Sequence, residues 1–321
     1  MEIYLPNSAF LGNIDPFLKK IDRSNQAKLK ITANKKWISI HPVVLCMVAA
    51  LGLKVKPENI SCEKLEAKSK HYLQRMGLFT LLKIKAERSI IEHEPAGRFI
   101  PLTRITNSLE LTKFITEIIP LLHLEPERAD SIKYVVSELV RNVLEHSRSE
   151  QGAIVSAQYY KKSNTIRIGI VDSGVGIKET INNAYPAKTH LEAIRLALTP
   201  GITGTTQRIG GTEYNAGAGL FFIKSIAQIN REFFMIYSGK AMYKLLKSNP
   251  HLKRVILHGD PFQERHSKGE DYPYWSGTVV GVDIALGKTK EFSALLDIIG
   301  EVYIKTIKER KKERYRRPKF I

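Results

Sequence analysis

Residues 138–147 read Glu-Leu-Val-Arg-Asn-Val-Leu-Glu-His-Ser, and in this stretch Glu138, Asn142 and His146 recur every four residues. That spacing places them on one face of a helix. Val135, Val136, Leu139, Val140, Val143 and Leu144 fill the other faces, so an amphipathic helix is expected from Pro126 to about Ser147. Polar groups set beside so much apolar surface need partners, because a buried unpaired one costs about 1–3 kcal/mol. A solvated stripe would show the same spacing. The segments downstream separate the two readings.

Ala153–Tyr160 and Thr165–Val171 alternate like strands, joined as a hairpin by Lys161-Lys162-Ser163-Asn164. The second strand ends at Asp172, which opens the loop Asp172-Ser173-Gly174-Val175-Gly176. Glycines here let the backbone come close to a flat ligand or take a positive φ. A carboxylate at a strand's end can accept a hydrogen bond from an exocyclic amine. Further on, Gly217-Ala218-Gly219-Leu220 opens an apolar helix expected over Leu220–Ile229. Free N–H groups at a helix start, backed by the helix dipole, make a phosphate site. Each segment alone has an ordinary explanation as a turn or a helix start. In this order they describe a nucleotide pocket.

The segments ELVRNVLEHS (138–147), DSGVGI (172–177) and NAGAGLFFIKS (215–225) resemble the N box and the two glycine boxes of the GHKL superfamily. That superfamily groups gyrase, the heat-shock chaperones, histidine kinases and MutL. The first segment is most similar to anti-sigma-factor serine kinases and stand-alone histidine kinase-like ATPase domains. The resemblance implies an α/β sandwich of the Bergerat type, with ATP under a mobile lid, and gives the residues their roles. Asn142 would hold Mg²⁺, and Glu138 would act as general base. Asp172 would bind the adenine amine, with Gly174 and Gly176 beside the ring. Gly217, Gly219 and Leu220 would bind phosphate, and Thr278, in SGTVV (276–280), would support the adenine through water. His146 and Ser147 read as structural. The lid candidate is Thr199–Ala216, in which Arg208 either touches the γ-phosphate or is solvated. By the same resemblance the activity is ATP hydrolysis or phosphate transfer to a serine or threonine of a regulatory protein partner, with a homodimer left open. No dimerisation helix pair with a phospho-accepting histidine precedes the domain, and His123 reads as a helix end, so a histidine autokinase is not expected.

Before this region, Leu29–Thr32, Trp37–Ile40 and Ile60–Cys62 read as strands, with helices over Pro42–Gly52 and about Ala67–Met76. The stretches ISIHPVVLCMVAALGLKV (38–55) and YLQRMGLF (72–79) are similar to a STAS-like segment, though an unrelated small α/β module fits as well. Glu92–Gly97 reads as a linker. A single helix is expected from Ser108 or Leu109 to Leu122, and a short one over about Thr189–Leu198. Further strands are expected near Phe233–Tyr237, Ala241–Leu245 and Thr278–Ile284, and a last helix from about Lys290 to Arg314. The expected organisation is therefore α/β throughout. Residues 1–95 form a small, possible STAS-like domain, 96–288 the GHKL ATP-binding domain, and 289–321 an amphipathic helix with a basic tail. In the insertion Lys247–Gly277, His251, His258, Asp260 and His266 lack a compact ligand spacing, so zinc is not expected.

The 321 residues are 43% apolar and 8% aromatic, as in a globular protein. The longest apolar run, Pro42–Leu53, is too short for a membrane span, and no signal peptide is evident. Two cysteines, Cys46 and Cys62, do not suggest a disulfide framework and fit a cytoplasmic location. The net charge of +18 is concentrated at the end, where Lys305–Ile321 holds nine lysines and arginines against two glutamates. Such a tail admits a second reading, an ATP-gated switch that grips nucleic acid, or else a solvated helix end or a dock for an acidic partner.

Overall fold

The computed structural model describes residues 1–21, 27–62, 67–84, 98–210, 217–249, 251, 255–286 and 292–315. The linker stretch Glu92–Gly97 lies outside them, as do residues 211–216 of the lid candidate and 316–321 of the tail.

Residues 1–82 build one layer. In chain order it holds β1 (Glu2–Leu5), β2 (Ser8–Ala9), α1 (Asp15–Lys19), β3 (Leu29–Ala33), β4 (Ser39–Ile40), α2 (Pro42–Gly52), β5 (Ile60–Cys62), α3 (Ala67–Arg75) and α4 (Leu78–Leu81). Strands β1, β3 and β5 make a small parallel sheet with β3 in the centre. Helix α2 begins at a proline, where a missing N–H costs nothing. His41 caps it, its Nδ1 accepting from the Val43 N–H at 3.0 Å. Every residue of α2 is buried, as a helix that is apolar all round requires.

The rest of the chain runs β6 (Phe99–Ile105), α5 (Ser108–Lys113), α6 (Pro126–His146), β7 (Ala153–Tyr160), β8 (Thr165–Val171), α7 (Ile177–Asn182), α8 (His190–Ala197), α9 (Gly219–Ile229), β9 (Phe234–Gly239), β10 (Ala241–Leu245), β11 (His266–Gly269), β12 (Trp275–Ala285) and α10 (Phe292–Tyr315). Its strands form one antiparallel sheet in the order β11-β10-β9-β12-β8-β7-β6. The period of two sends alternate side chains to opposite faces. Ile166, Ile168, Ile170, Val280, Val282, Ile284, Phe234 and Ile236 point into a core shared with α6, α8 and α9. Val171, Val279, Met235, Tyr237 and Met242 point the other way, into a core shared with residues 1–82. The α/β sandwich is thus present, and the face that two layers would leave open is covered by the N-terminal layer.

The helix expected as one piece to Leu122 is broken. After Lys113 the chain widens into a π-helical turn over Phe114–Ile118 and tightens into a 3-10 turn over Ile119–Leu122. Pro120 explains the break: it has no N–H to donate, and its ring crowds the carbonyl four residues back. His123 ends the segment in the left-handed conformation, with φ 48°.

Candidate nucleotide site

Helix α6 buries Ile132, Val135, Val136, Leu139, Val140 and Val143. Its fourth face, bearing Glu138, Asn142 and His146, lines a cavity of about 380 Å³. That volume suits a small-molecule ligand. Tyr134, one turn before Glu138, extends the same stripe, and Arg141 and Glu145 stand at its edge. The solvated-stripe reading therefore fails for this helix.

The start of α9 closes one end. A Cβ on Gly219 would lie 2.6 Å from Glu138 Oε2 and 3.8 Å from Asn142 Nδ2, so the start of α9 lies directly against the Glu138–Asn142 face, and a side chain there would push the glutamate tip aside. Among the described residues no side chain caps this helix start at Ala218, and first-turn N–H groups are the part of a helix a ligand can use. Gly217 has φ 64°, and a Cβ there would stand 2.3 Å from the Ile202 carbonyl oxygen. Gly217, Gly219 and Leu220 all line the cavity.

Asp172 closes the other end. Its Oδ1 accepts from the Gly174 N–H at 2.8 Å and its Oδ2 from the Thr278 N–H at 3.1 Å. Its own N–H donates to the Thr278 carbonyl at 2.9 Å, and its carbonyl accepts from the Trp275 indole at 3.0 Å. Burial pushes the carboxyl up to about 6, against the pull of the two backbone donors. Glu138 is also raised by burial; Arg141 pulls it back and Glu145 adds to the rise. Between the ends run apolar walls from Ile170, Val280, Ile177, Ile181, Leu139 and Val143.

The structure brings Glu138, Asn142, Asp172, Gly176, Gly217, Gly219, Leu220 and Thr278 to this one cavity. Gly174 does not line the cavity. A Cβ on it would stand 1.9 Å from the Ser147 carbonyl oxygen, so it lets the loop cross the end of α6. Ser147 supports that crossing, its carbonyl accepting from the Val175 N–H at 2.8 Å. Arg208 is exposed and does not line the cavity, whereas Thr203 and Gly204 of the same loop do.

Sequence reasoning missed Ser238, which accepts from the Ile177 N–H at 3.0 Å, donates to the Gly277 carbonyl at 2.7 Å, and so fixes the start of α7. It missed Trp275 as well. Neither carries a local signal, because both act across the sheet. Tyr134 was legible in principle, four residues before Glu138. The Lys247–Gly277 insertion buttresses α9 through a fully buried Lys224–Glu264 ion pair at 2.5 Å. Among the described residues no group of three or more His, Cys, Asp or Glu is placed to hold a metal ion.

A sandwich whose helical face carries a cavity with a buried carboxylate at one end and an open helix start at the other is a nucleotide-binding domain. Residues 105–229 match the family model of the histidine kinase-like ATPase domain. The match runs from the end of β6 to the end of α9 and stops before β12, which supplies Thr278. No curated protein matches the chain. Among the described residues no helix is long and apolar enough to cross a membrane.

Proposed function

We propose that this ATP-binding domain hydrolyses ATP, or transfers its γ-phosphoryl group to a serine or threonine of a partner protein. The meeting of Glu138 and Asn142 with the uncapped start of α9 carries the reading. Asp172 accepts the adenine amine at the far end, and Thr278 and Gly176 flank it. The apolar walls sandwich the ring, and N–H groups at Gly219 and Leu220 receive the phosphates.

Burial raises Glu138's affinity for a proton, the direction that strengthens a general base. It takes the proton of the attacking hydroxyl as that oxygen bonds to the γ-phosphorus and the bond to the bridging oxygen breaks, releasing ADP. The donor set also fits Mg²⁺, which takes few protein oxygens and is held largely by phosphates and water. Asn142 would hold the ion, which supplies charge neutralisation when bound.

Glu138→Ala should retain ATP binding and lose turnover by about 10²–10⁴-fold. Incubation with γ-labelled ATP and candidate partners then shows whether label leaves as free phosphate or stays on protein. Undiminished turnover in the variant would remove Glu138 as the base.

A second reading rests on α10. Lys305, Lys308, Lys311 and Lys312 are exposed along its last turns, a basic stripe suited to nucleic-acid phosphates. Binding of duplex or single-stranded DNA should weaken steeply with salt and disappear when the chain is shortened before Lys308. No binding at low salt would end this reading.

A further inference from the structure

The loop that begins at Pro200 is gripped from outside the cavity. The Gly201 N–H donates to the Gly217 carbonyl at 3.3 Å, so the two ends of the loop meet. Helix α10 crosses this junction. Arg310 Nη1 donates to the Pro200 carbonyl at 3.0 Å. A Cβ on Gly201 would stand 2.9 Å from Ile307 Cγ1, so glycine is what lets the helix lie this close. Gly210, whose N–H donates to the Gly201 carbonyl at 3.1 Å, packs on Ile307 too. From the other side the Tyr185 hydroxyl donates to the Gln207 carbonyl at 3.1 Å.

Apart from the bonds that Gly201 makes with Gly210 and Gly217, the loop's described internal bonds are short-range. Thr203 Oγ1 meets Thr205 Oγ1 at 3.0 Å, and Thr206 Oγ1 accepts from the Arg208 N–H at 3.1 Å. Ile202 is the loop's one described residue in the apolar core, and a segment with few such contacts opens easily unless something outside holds it. Thr203 and Gly204, which face the cavity, lie within four residues of the backbone that α10 clamps.

We propose that Arg310 and Ile307 are positioning residues of the nucleotide site, holding loop 200–210 against the cavity and thereby setting how long a nucleotide stays bound. This rests on the nucleotide reading above. Neither residue touches the ligand. Both act through the Pro200–Gly201 backbone, and a partner that displaced α10 would loosen the site without entering it.

Exposed Arg208 supplies the test, because trypsin cuts after it. The full-length chain without nucleotide is digested, and the fragment ending at Arg208 is followed by mass. Arg310→Met should raise that cleavage about tenfold, as expected for losing a charge-assisted hydrogen bond, and Arg310→Lys should fall between it and the parent. Glu309→Gln, exposed on the same helix, should leave the rate unchanged. A fluorescent ATP analogue should leave Arg310→Met about tenfold faster than it leaves the parent. Parental cleavage at Arg208, a parallel rise at every tryptic site, or unchanged release of the analogue would each overturn the proposal. An analogue that binds no variant, the parent included, would overturn the nucleotide reading instead, and residence-setting with it, while the digestion still reports the α10 contact.

Discussion

The two faces of the large sheet do different work with different residues. The helical face is lined by large aliphatics and leaves a cavity for a ligand. The opposite face is pared down: Gly169 and Gly281 are cross-strand neighbours, and Ser156 stands opposite Gly169 on the next strand. A Cβ on Gly169 would lie 2.3 Å from the Val43 backbone nitrogen, so this stripe seats the start of α2. Around it is a buried polar network. His41 Nε2 meets Asp283 Oδ1 at 3.0 Å and Arg167 Nε lies 3.6 Å from Asp283 Oδ2. The Arg167 guanidinium lies between the Phe10 and Tyr160 rings, 4.1 Å from each. Lys244 pairs with Asp15. One face leaves a cavity and the other is closed by packing.

That contrast breaks most visibly at Asp283. Asp283→Ala leaves His41 and Arg167 facing each other without their shared carboxylate, and should cost about 3–5 kcal/mol in denaturant unfolding. Nucleotide affinity per folded molecule should not change. A joint loss of affinity and stability would show that the two faces are not separable.

The faces should also respond oppositely to pH. The raised Asp172 carboxyl means that between pH 3.8 and about 6 the folded state holds a proton the unfolded state has lost. Its contribution to stability therefore falls as pH rises through that window, by about 3 kcal/mol. His41 is lowered by burial, with Arg167 adding to the shift and Asp283 opposing it. The unfolded state then binds the extra proton below about pH 6.5, and stability falls on acidification. Melts at pH 5 and 7.5 should show Asp172→Asn gaining most at the higher pH. Equal gains at both would refute the assignment.

The smallest effect separates chemistry from stability directly. Glu138→Gln removes a partly buried charge from the open face, and should change the unfolding free energy by under about 1 kcal/mol, upward. Calorimetry showing a loss like that of Asp283→Ala would erase the contrast.

The elements with a clean period were legible: α2, α6, β7, β8 and α9 lie where the apolar spacing puts them. Strand β11 has no apolar residue and is a strand only because it pairs with β10. In β6, Pro101 sits where the register to β7 shifts, so the alternation is interrupted. At the site, Glu138, Asn142, Asp172 and the two glycines before α9 were readable because each marks a turn, a strand end or a helix face. The packing of Gly174 on the Ser147 backbone was not readable, since a glycine against backbone and a glycine against a ligand look alike in sequence. The back of the sheet was not readable. Its glycines and charges acquire meaning only once α2 is laid across them.

The polar network has a consequence for how the chain is made. His41 and Asp283 are separated by 242 residues, and Asp15 and Lys244 by 229. Contacts of such sequence separation slow folding, because loop closure must precede their reward. The N-terminal layer leaves the ribosome first, carrying the wholly apolar α2, and its seat on β8 and β12 is complete only when Asp283 has been added. Until β8 and β12 have been made, α2 lacks the sheet face that buries it in the folded protein, and exposed apolar surface of that kind is what chaperones bind.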